Sequence, residues 1–263
     1  ANTPENDPRS QAPADLAPVP VDPWVLADVA YARYHDPHEV LGAHIGENGV
    51  TIRTVRHLAD DVVVVTKDGT HPATHEQDGV WVAVLPGQEI PDYRIKVTYG
   101  DETTTVDDPY RYMPTLGEMD TYLISEGRHE ELWEVLGSHI KRYSGPMGEV
   151  EGAAFAVWAP NARGVSVVGD FCGWNPVALP MRSIGSSGVW ELFVPDVGDG
   201  AAHELGQDVV RHGEQHDLRP LHHVLDTEHG NLGQHRRDLI GHLLPRERRE
   251  LMPRIEHVIP LVL

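Results

Sequence analysis

Six residues, Val40-Leu-Gly-Ala-His-Ile45, recur with one change as Val135-Leu-Gly-Ser-His-Ile140. Each copy is followed by a strand signal, a turn and a Val-rich strand. Later comes Gly79-Val-Trp81 in the first case and Gly188-Val-Trp190 in the second. A match of this length with downstream features in the same order is the signature of tandem duplication. Within each copy the apolar runs are short and broken by turn residues at a spacing of roughly 8–12 residues, which is the pattern of an all-β sandwich. The chain is therefore expected to be mainly β, with two copies of one sandwich in series.

Reading along the chain fills in that frame. Residues 1–21 hold five prolines among small and polar residues, a tail that cannot bury enough to order itself. Asp22-Pro23 reads as a helix start. A helix is expected over Pro23–Tyr34, with Trp24, Val25, Val29 and Tyr31 on its packing side. Strands are expected at Val50–Val55, Val62–Thr66, Val80–Leu85, Tyr93–Tyr99 and Thr103–Val106. In Tyr93–Tyr99 the residues Tyr93, Ile95, Val97 and Tyr99 share a face, a period of two. Thr115–Gly127 reads as a connector and Arg128–Leu136 as a short helix. Phe155–Trp158 and Val165–Val168 flank Pro160–Gly164, a pattern read as a β-hairpin with a longer loop. The strand Gly188–Val194 follows.

After Gly200 the composition breaks. All 3 Phe, 6 Trp and 8 Tyr lie before it, as does every Lys, whereas nine of the 17 His lie after it. No further strands are expected there, and the break is what a change of reading frame would produce. The expected divisions are a disordered tail (1–21), a first sandwich (22–113), a linker with a short helix (114–150), a truncated second sandwich (151–200) and an atypical His/Arg-rich tail (201–263).

Charge narrows the choice of partner. A formal net charge of −20 sets the chain against nucleic acid and anionic membrane surfaces. Its apolar runs, such as Asp61–Thr66, are far too short to cross a bilayer. Cys172 is the only cysteine, so no internal disulfide forms. With no basic-then-apolar start, these features lead to the expectation of a cytoplasmic location.

Few residues carry chemistry. Trp158, Phe171 and Trp174 cluster near the second Val-rich run. An aromatic face suits a sugar, because the C–H-rich face of a pyranose is apolar while its hydroxyls stay wet. The same rings could equally fill a core. The pairs Asp60-Asp61 and Asp107-Asp108 sit at turns. A glycosidase-type reaction needs two carboxyl groups facing one bond, about 5 Å apart for retention, which neighbours on a turn do not supply. They read as capping residues. His212, His216, His222 and His223 come without Cys or a His-Glu-x-x-His motif, so no metal site is assigned. No cofactor is expected. Trp81 and Trp190, on alternating strands, read as core.

Gly152–Gly200 resembles a family 48 carbohydrate-binding module. Asp36-Pro-His-Glu-Val-Leu-Gly-Ala-His44, Val106-Asp-Asp-Pro-Tyr-Arg-Tyr112, Glu126-Gly-Arg-His-Glu-Glu-Leu-Trp-Glu-Val-Leu-Gly-Ser-His139 and Trp158-Ala-Pro-Asn-Ala162 together resemble the N-terminal half of bacterial 1,4-α-glucan (glycogen) branching enzymes. The resemblance covers roughly 23–200. It implies two immunoglobulin-like β-sandwiches, the second incomplete, followed by an irregular or partly helical tail. It also implies an α-glucan partner, with Trp158 stacking on a glucose ring. Trp174 is a second candidate contact that reads first as internal support. Cys172 stands where the family has Asn. The family continues past the module with an aromatic-Lys-aromatic strand and a catalytic (β/α)₈ barrel, and neither is found after Ala201. No catalytic residue is therefore assigned, and the chain alone is expected to branch nothing.

Overall fold

The computed structural model describes residues 16–198, 201, 203–208 and 218–221. The first copy is a sandwich of two antiparallel four-stranded sheets. One has the order β1-β2-β6-β5, with β1 at Gly42–Ile45, β2 at Val50–Val55, β5 at Thr74–Gln77 and β6 at Val80–Leu85. The other has the order β4-β3-β7-β8, with β3 at Asp61–Thr66, β4 at Gly69–Pro72, β7 at Tyr93–Tyr99 and β8 at Glu102–Val106. Between them Val50, Ile52, Val62, Val64, Ala83, Leu85, Tyr93, Ile95 and Val97 are buried. The period-two reading of β7 thus holds for its first three members. Tyr99, at the strand's end, is 42% exposed.

The second copy repeats the plan. Its first sheet runs β9-β10-β13-β12, with β9 at Gly137–Gly145, β10 at Gly148–Trp158, β12 at Arg182–Ser183 and β13 at Val189–Pro195. Its second runs β11-β14-β15, with β11 at Gly164–Gly169, β14 at His203–Asp208 and β15 at Leu218–Leu221. Matched strand by strand, β1, β2, β3, β5, β6, β7 and β8 become β9 to β15, and β4 is reduced to a single bridge, Ser166↔Pro180. The duplication reaches back before the first strand. Helix α1 (Pro23–Ala30) corresponds to α2 (Glu118–Ser125), and the 3₁₀ turn Pro37–Glu39 to Leu132–Glu134. Each pair begins 95 positions apart, as do Gly42 and Gly137.

Four expectations are corrected. First, strands continue beyond Gly200. β14 pairs with β11 from Gly164↔Asp208 to Gly169↔His203. In this stretch Leu205 is buried and the His203 ring meets Phe155 edge-on at 4.8 Å. Second, Phe155–Trp158 and Val165–Val168 are not a hairpin. β10 pairs with β9 and β13, whereas β11 pairs with β14. The loop carries the chain from one sheet to the other, so that Phe155, Val157, Val165 and Val167 pack in one core.

Third, α1 ends at Ala30, and the chain turns through Ala32 at φ 56°. It buries Val25, Leu26, Val29 and Ala30, while Trp24 is 63% and Tyr31 47% exposed. Fourth, Arg128–Leu136 is not helical beyond the 3₁₀ turn Leu132–Glu134, and the helix lies earlier, at Glu118–Ser125. Local chemistry explains the shift. The Asp120 carboxylate accepts from the Gly117 N–H at 3.2 Å, fixing the start of α2. Gly127 at φ 64° ends it, with its N–H bonded to the Ile124 carbonyl and that of Arg128 to Leu123.

The two sandwiches share a core. α1 packs in one apolar cluster with Val40, Leu41 and Tyr110 of the first and Phe155, Met181, Trp190 and Leu192 of the second. Polar bonds reinforce the seam. The Tyr110 hydroxyl donates to the Pro180 carbonyl at 3.2 Å, Ser183 N–H to the His35 carbonyl at 2.9 Å, and Met147 N–H to the Asp92 carboxylate at 2.6 Å.

Candidate functional site

Trp158 is the last residue of β10, paired across the sheet with Val189. Along β10 the side chains alternate, so Trp158 follows Ala156 on the outer face, opposite Phe155 and Val157 on the core face. The ring is 57% exposed. Its edge is nonetheless fixed, because Nε1–H donates to the Ser187 carbonyl at 3.2 Å. The Ile184–Gly188 turn that supplies this acceptor is itself tied down. Ser187 Oγ donates to the Ile184 carbonyl at 2.7 Å and accepts from Val189 N–H at 3.1 Å. Gly188 has φ 75°, and a Cβ there would lie 2.7 Å from Pro160 Cβ and 3.1 Å from Trp158 Nε1. Only glycine lets the turn close against the ring. The result is a flat aromatic surface held in place with its face toward solvent.

Beside the same turn lies a cleft of about 270 Å³, lined by Glu118, Thr121, Tyr122 and Ser125 of α2 and by Ile184–Ser187. Tyr122 is 55% exposed. Sequence reasoning missed this wall because α2 was read as connector. In the first copy the place of Trp158 is taken by Val55, paired with Val80 as Trp158 is with Val189. Val55 is 6% exposed, within the core shared by the two sandwiches. The exposed ring is a feature of the second copy only.

Trp174 sits differently. It has φ 58° in the turn after β11, and its Nε1–H donates to the Asp170 carboxylate at 2.8 Å. Phe171 and Cys172, by contrast, pack on the core. The Cys172 sulfur accepts from Gly169 N–H at 3.3 Å and donates to the Gly169 carbonyl at 3.4 Å. An Asn side chain can make both kinds of bond, so the thiol serves where the resembled family has Asn. Burial pushes the thiol pKa up, which makes it a poor nucleophile. Trp190 is buried and donates to the Ala159 carbonyl, and Trp81 packs half-buried on the first core and donates to the Arg56 carbonyl.

The acidic pairs have structural partners. Asp60 accepts from Gly100 N–H at 2.5 Å across a turn. Asp108 caps the 3₁₀ turn Pro109–Arg111 through Tyr110 N–H and accepts the Tyr93 hydroxyl at 2.6 Å. Asp107 pairs with Arg94 at 3.2 Å and Arg111 at 3.3 Å. Burial pushes both carboxyls upward, against the pull of those partners. A second cleft, of about 270 Å³, has Arg94, Arg111, Tyr112 and Tyr143 in its wall. Its arginines are neutralised by Asp92 and Asp107, and Arg111 lies over the rings of Tyr93 and Tyr112. Among the described residues no three His, Cys, Asp or Glu side chains gather as metal ligands, and no helix is long and apolar enough to cross a membrane. His212, His216, His222 and His223 lie outside the described residues.

Comparison with known proteins places both copies. Residues 22–110 match the family model for the N-terminal domain of the α-1,4-glucan branching enzyme GlgB, and residues 135–219 that for carbohydrate-binding module 48, the isoamylase N-terminal domain. The 1,4-α-glucan branching enzyme of Thermobifida fusca is 57% identical over 169 residues, covering 64% of this chain and 23% of the relative. Those of Nocardia farcinica and Rhodococcus jostii are 48% and 47% identical, covering 75% and 71% of this chain and 26% and 25% of the relatives. The chain thus spans about a quarter of the length of these relatives. A pullulanase from Anoxybacillus sp. LM18-11, solved with maltotetraose, aligns over 68% of this chain and 23% of its own at 15% identity, with a TM-score of 0.25 that establishes no common fold.

Proposed function

We propose that this chain, which belongs to the α-1,4-glucan branching enzyme family and carries its N-terminal domain followed by a family 48 carbohydrate-binding module, holds an α-glucan chain without catalysing its rearrangement. The whole relatives are branching enzymes. In that setting the reaction would cut an α-1,4 linkage and rejoin the glucan at a 6-hydroxyl, and this part would keep the polysaccharide at hand.

One observation carries the reading: the second copy alone puts a rigidly anchored, solvent-facing indole, Trp158, at the end of β10. The apolar face of a glucose unit would lie on that ring while its hydroxyls stay in water. Glu118, Ser186 and Ser187 in the neighbouring cleft offer oxygens to the next unit of the chain. Trp174, tied to Asp170, is the second candidate contact. The sugar is uncharged, so the −20 net charge that repels polyanions leaves it unaffected. A cytoplasmic location goes with this reading, since glycogen is made there and the free Cys172 would stay reduced.

Native gel electrophoresis with glycogen in the gel tests it. Retardation of the chain is expected, with Trp158→Ala weakening it at least tenfold in apparent Kd and Trp24→Ala, on an exposed ring elsewhere, leaving it unchanged. Retardation that survives Trp158→Ala would move the glucan to another face. No retardation at all would end the reading.

A further inference from the structure

The duplication gives an internal standard for what each surface should look like, and one segment departs from it. In the first copy the repeat segment is covered. Pro37 is buried, and Val40 and Leu41 are 3% and 0% exposed. Two things cover it. The 3₁₀ turn Pro109–Arg111, which follows the copy's last strand, presents the Tyr110 ring edge-on to His38 at 5.1 Å. The second sandwich then closes over both, with His35 bonded to Ser183 and Tyr110 to Pro180.

In the second copy the equivalent positions, 95 residues on, are open. Leu132, in the place of Pro37, is 40% exposed, and Trp133, in the place of His38, is 69% exposed. Val135 and Leu136, in the places of Val40 and Leu41, are only partly buried. Glu126–Glu131, matching the Tyr31–Asp36 stretch that meets the next sandwich, is exposed except at His129, which is half-buried. Solvent-facing Leu132 and Trp133 side by side mark a contact surface.

We infer that the Glu126–Ile140 face of the second copy is a docking surface for the polypeptide that follows this module in branching enzymes, covered there as Pro37–Leu41 is covered here. This rests on the membership of that family, and three things point to this occupant. Each copy is an equivalent unit in one series. In the copy whose successor is seen, the successor covers this face. The relatives extend to about four times the matched length. A tyrosine-bearing turn after the last strand, then the flank of the next domain, are the elements expected on it.

Hydrogen exchange and tryptophan oxidation test the assignment on two intact proteins, the present chain and the full-length Thermobifida fusca enzyme. A chimera in which residues 22–221 replace the matched part of that enzyme provides a third. The amides of 126–140 should exchange at least tenfold more slowly in the chimera than in the chain alone, and Trp133 should resist oxidation in the chimera only. Should the chimera not fold, the aligned segment of the intact relative must show the same protection. Equal exchange in the long and short proteins overturns the inference. So does a dimer of the chain alone that Trp133→Ser abolishes, since a second copy would then own the face. Glycogen retardation separates this inference from the glucan reading. Trp133→Ser should leave retardation intact, whereas Trp158 protected along with Trp133 would support docking and sink the glucan platform.

Discussion

His38 shows how far one side chain can be set by its surroundings. Both ring nitrogens are buried without a hydrogen-bond partner, and the ring stands edge-on to Tyr110. Burial, with help from the charges of Arg182 and His44, pulls its pKa from the ordinary 6.5 down to about 3. The folded chain therefore binds fewer protons here than the unfolded one between those values, so stability falls as the pH drops below about 6.5. At pH 5 the loss from this group is about 2 kcal/mol. Replacing the ring by one that cannot titrate, His38→Phe, should remove that part of the decline. Thermal unfolding at pH 7.5 and pH 5 should show a smaller drop in Tm for the variant, and identical drops would assign the acid sensitivity elsewhere. None of this was legible in the sequence, because His38 sits in Asp-Pro-His-Glu, a turn with nothing in its composition to announce burial. The indoles were only half legible. Alternation in β10 sets the side of the sheet on which Trp158 lies, but whether that side is covered depends on α2 and the Ile184–Gly188 turn, both distant in sequence.

At the scale of elements, strands were easier to read than their partners. Period-two alternation located most of them, since it reports a face buried against whatever lies opposite. It carries no information on pairing, which is why Phe155–Trp158 and Val165–Val168 passed for a hairpin when they belong to different sheets. The same limit hid a duplicated glycine. Gly152 opens the central part of β10 and Gly49 precedes β2, and each lies against the opposing strand at Val194 and Leu85, residues that are themselves equivalent. A Cβ on Gly152 would fall 2.6 Å from Phe193 Cζ and 2.8 Å from Pro195 Cα. The second of these is backbone and cannot swing aside. Gly152→Ala should therefore destabilise the chain by about 2–3 kcal/mol, an overpacking cost with no compensating burial. The same substitution at Gly127, where no atom lies within 4 Å, should carry only the milder strain of its positive φ. Urea unfolding of the two variants separates them, and a Gly152→Ala midpoint equal to that of the parent would mean that the strands part more easily than their register implies. The helices follow a different logic. α1 was found because Asp-Pro announces a start, whereas α2 begins at a glycine and is held by Asp120, a signal too slight to outweigh the apolar Leu132–Leu136 that drew the expected helix forward.

At the scale of the molecule, the repeat was the most informative feature and the junction the least. Two short motifs differing at one residue revealed two sandwiches, but a shared core made from α1, the Pro109–Arg111 turn and the second sandwich cannot be read from either copy alone. The polar half of that junction is centred on Asp92. Burial raises the pKa of its carboxyl, and the Met147 N–H, Arg111 and Arg94 more than offset this, holding it below the usual carboxylate range. Arg94 bonds it at 3.0 Å and Arg111 also pairs with it, while both arginines reach Asp107. Two half-buried cations thus share two anions, and one of the anions also receives an amide of the β9–β10 turn in the other sandwich. Removing Asp92 leaves two arginines on a single carboxylate and strands the Met147 amide. Losing hydrogen bonds to a charged, half-buried group costs about 1–3 kcal/mol, so Asp92→Ala should lower stability by that order. Because one of the lost bonds, that from Met147, spans the two sandwiches, the loss should not be spread evenly. Exchange at Met147 and along the β9–β10 turn should speed up first, while amides of the first core, such as those of Ile52 and Ile95, keep their protection until global unfolding. If instead all amides accelerate together, the two sandwiches unfold as one cooperative unit whose seam is no weaker than its cores, and the second copy then depends on the first for its fold as well as its placement.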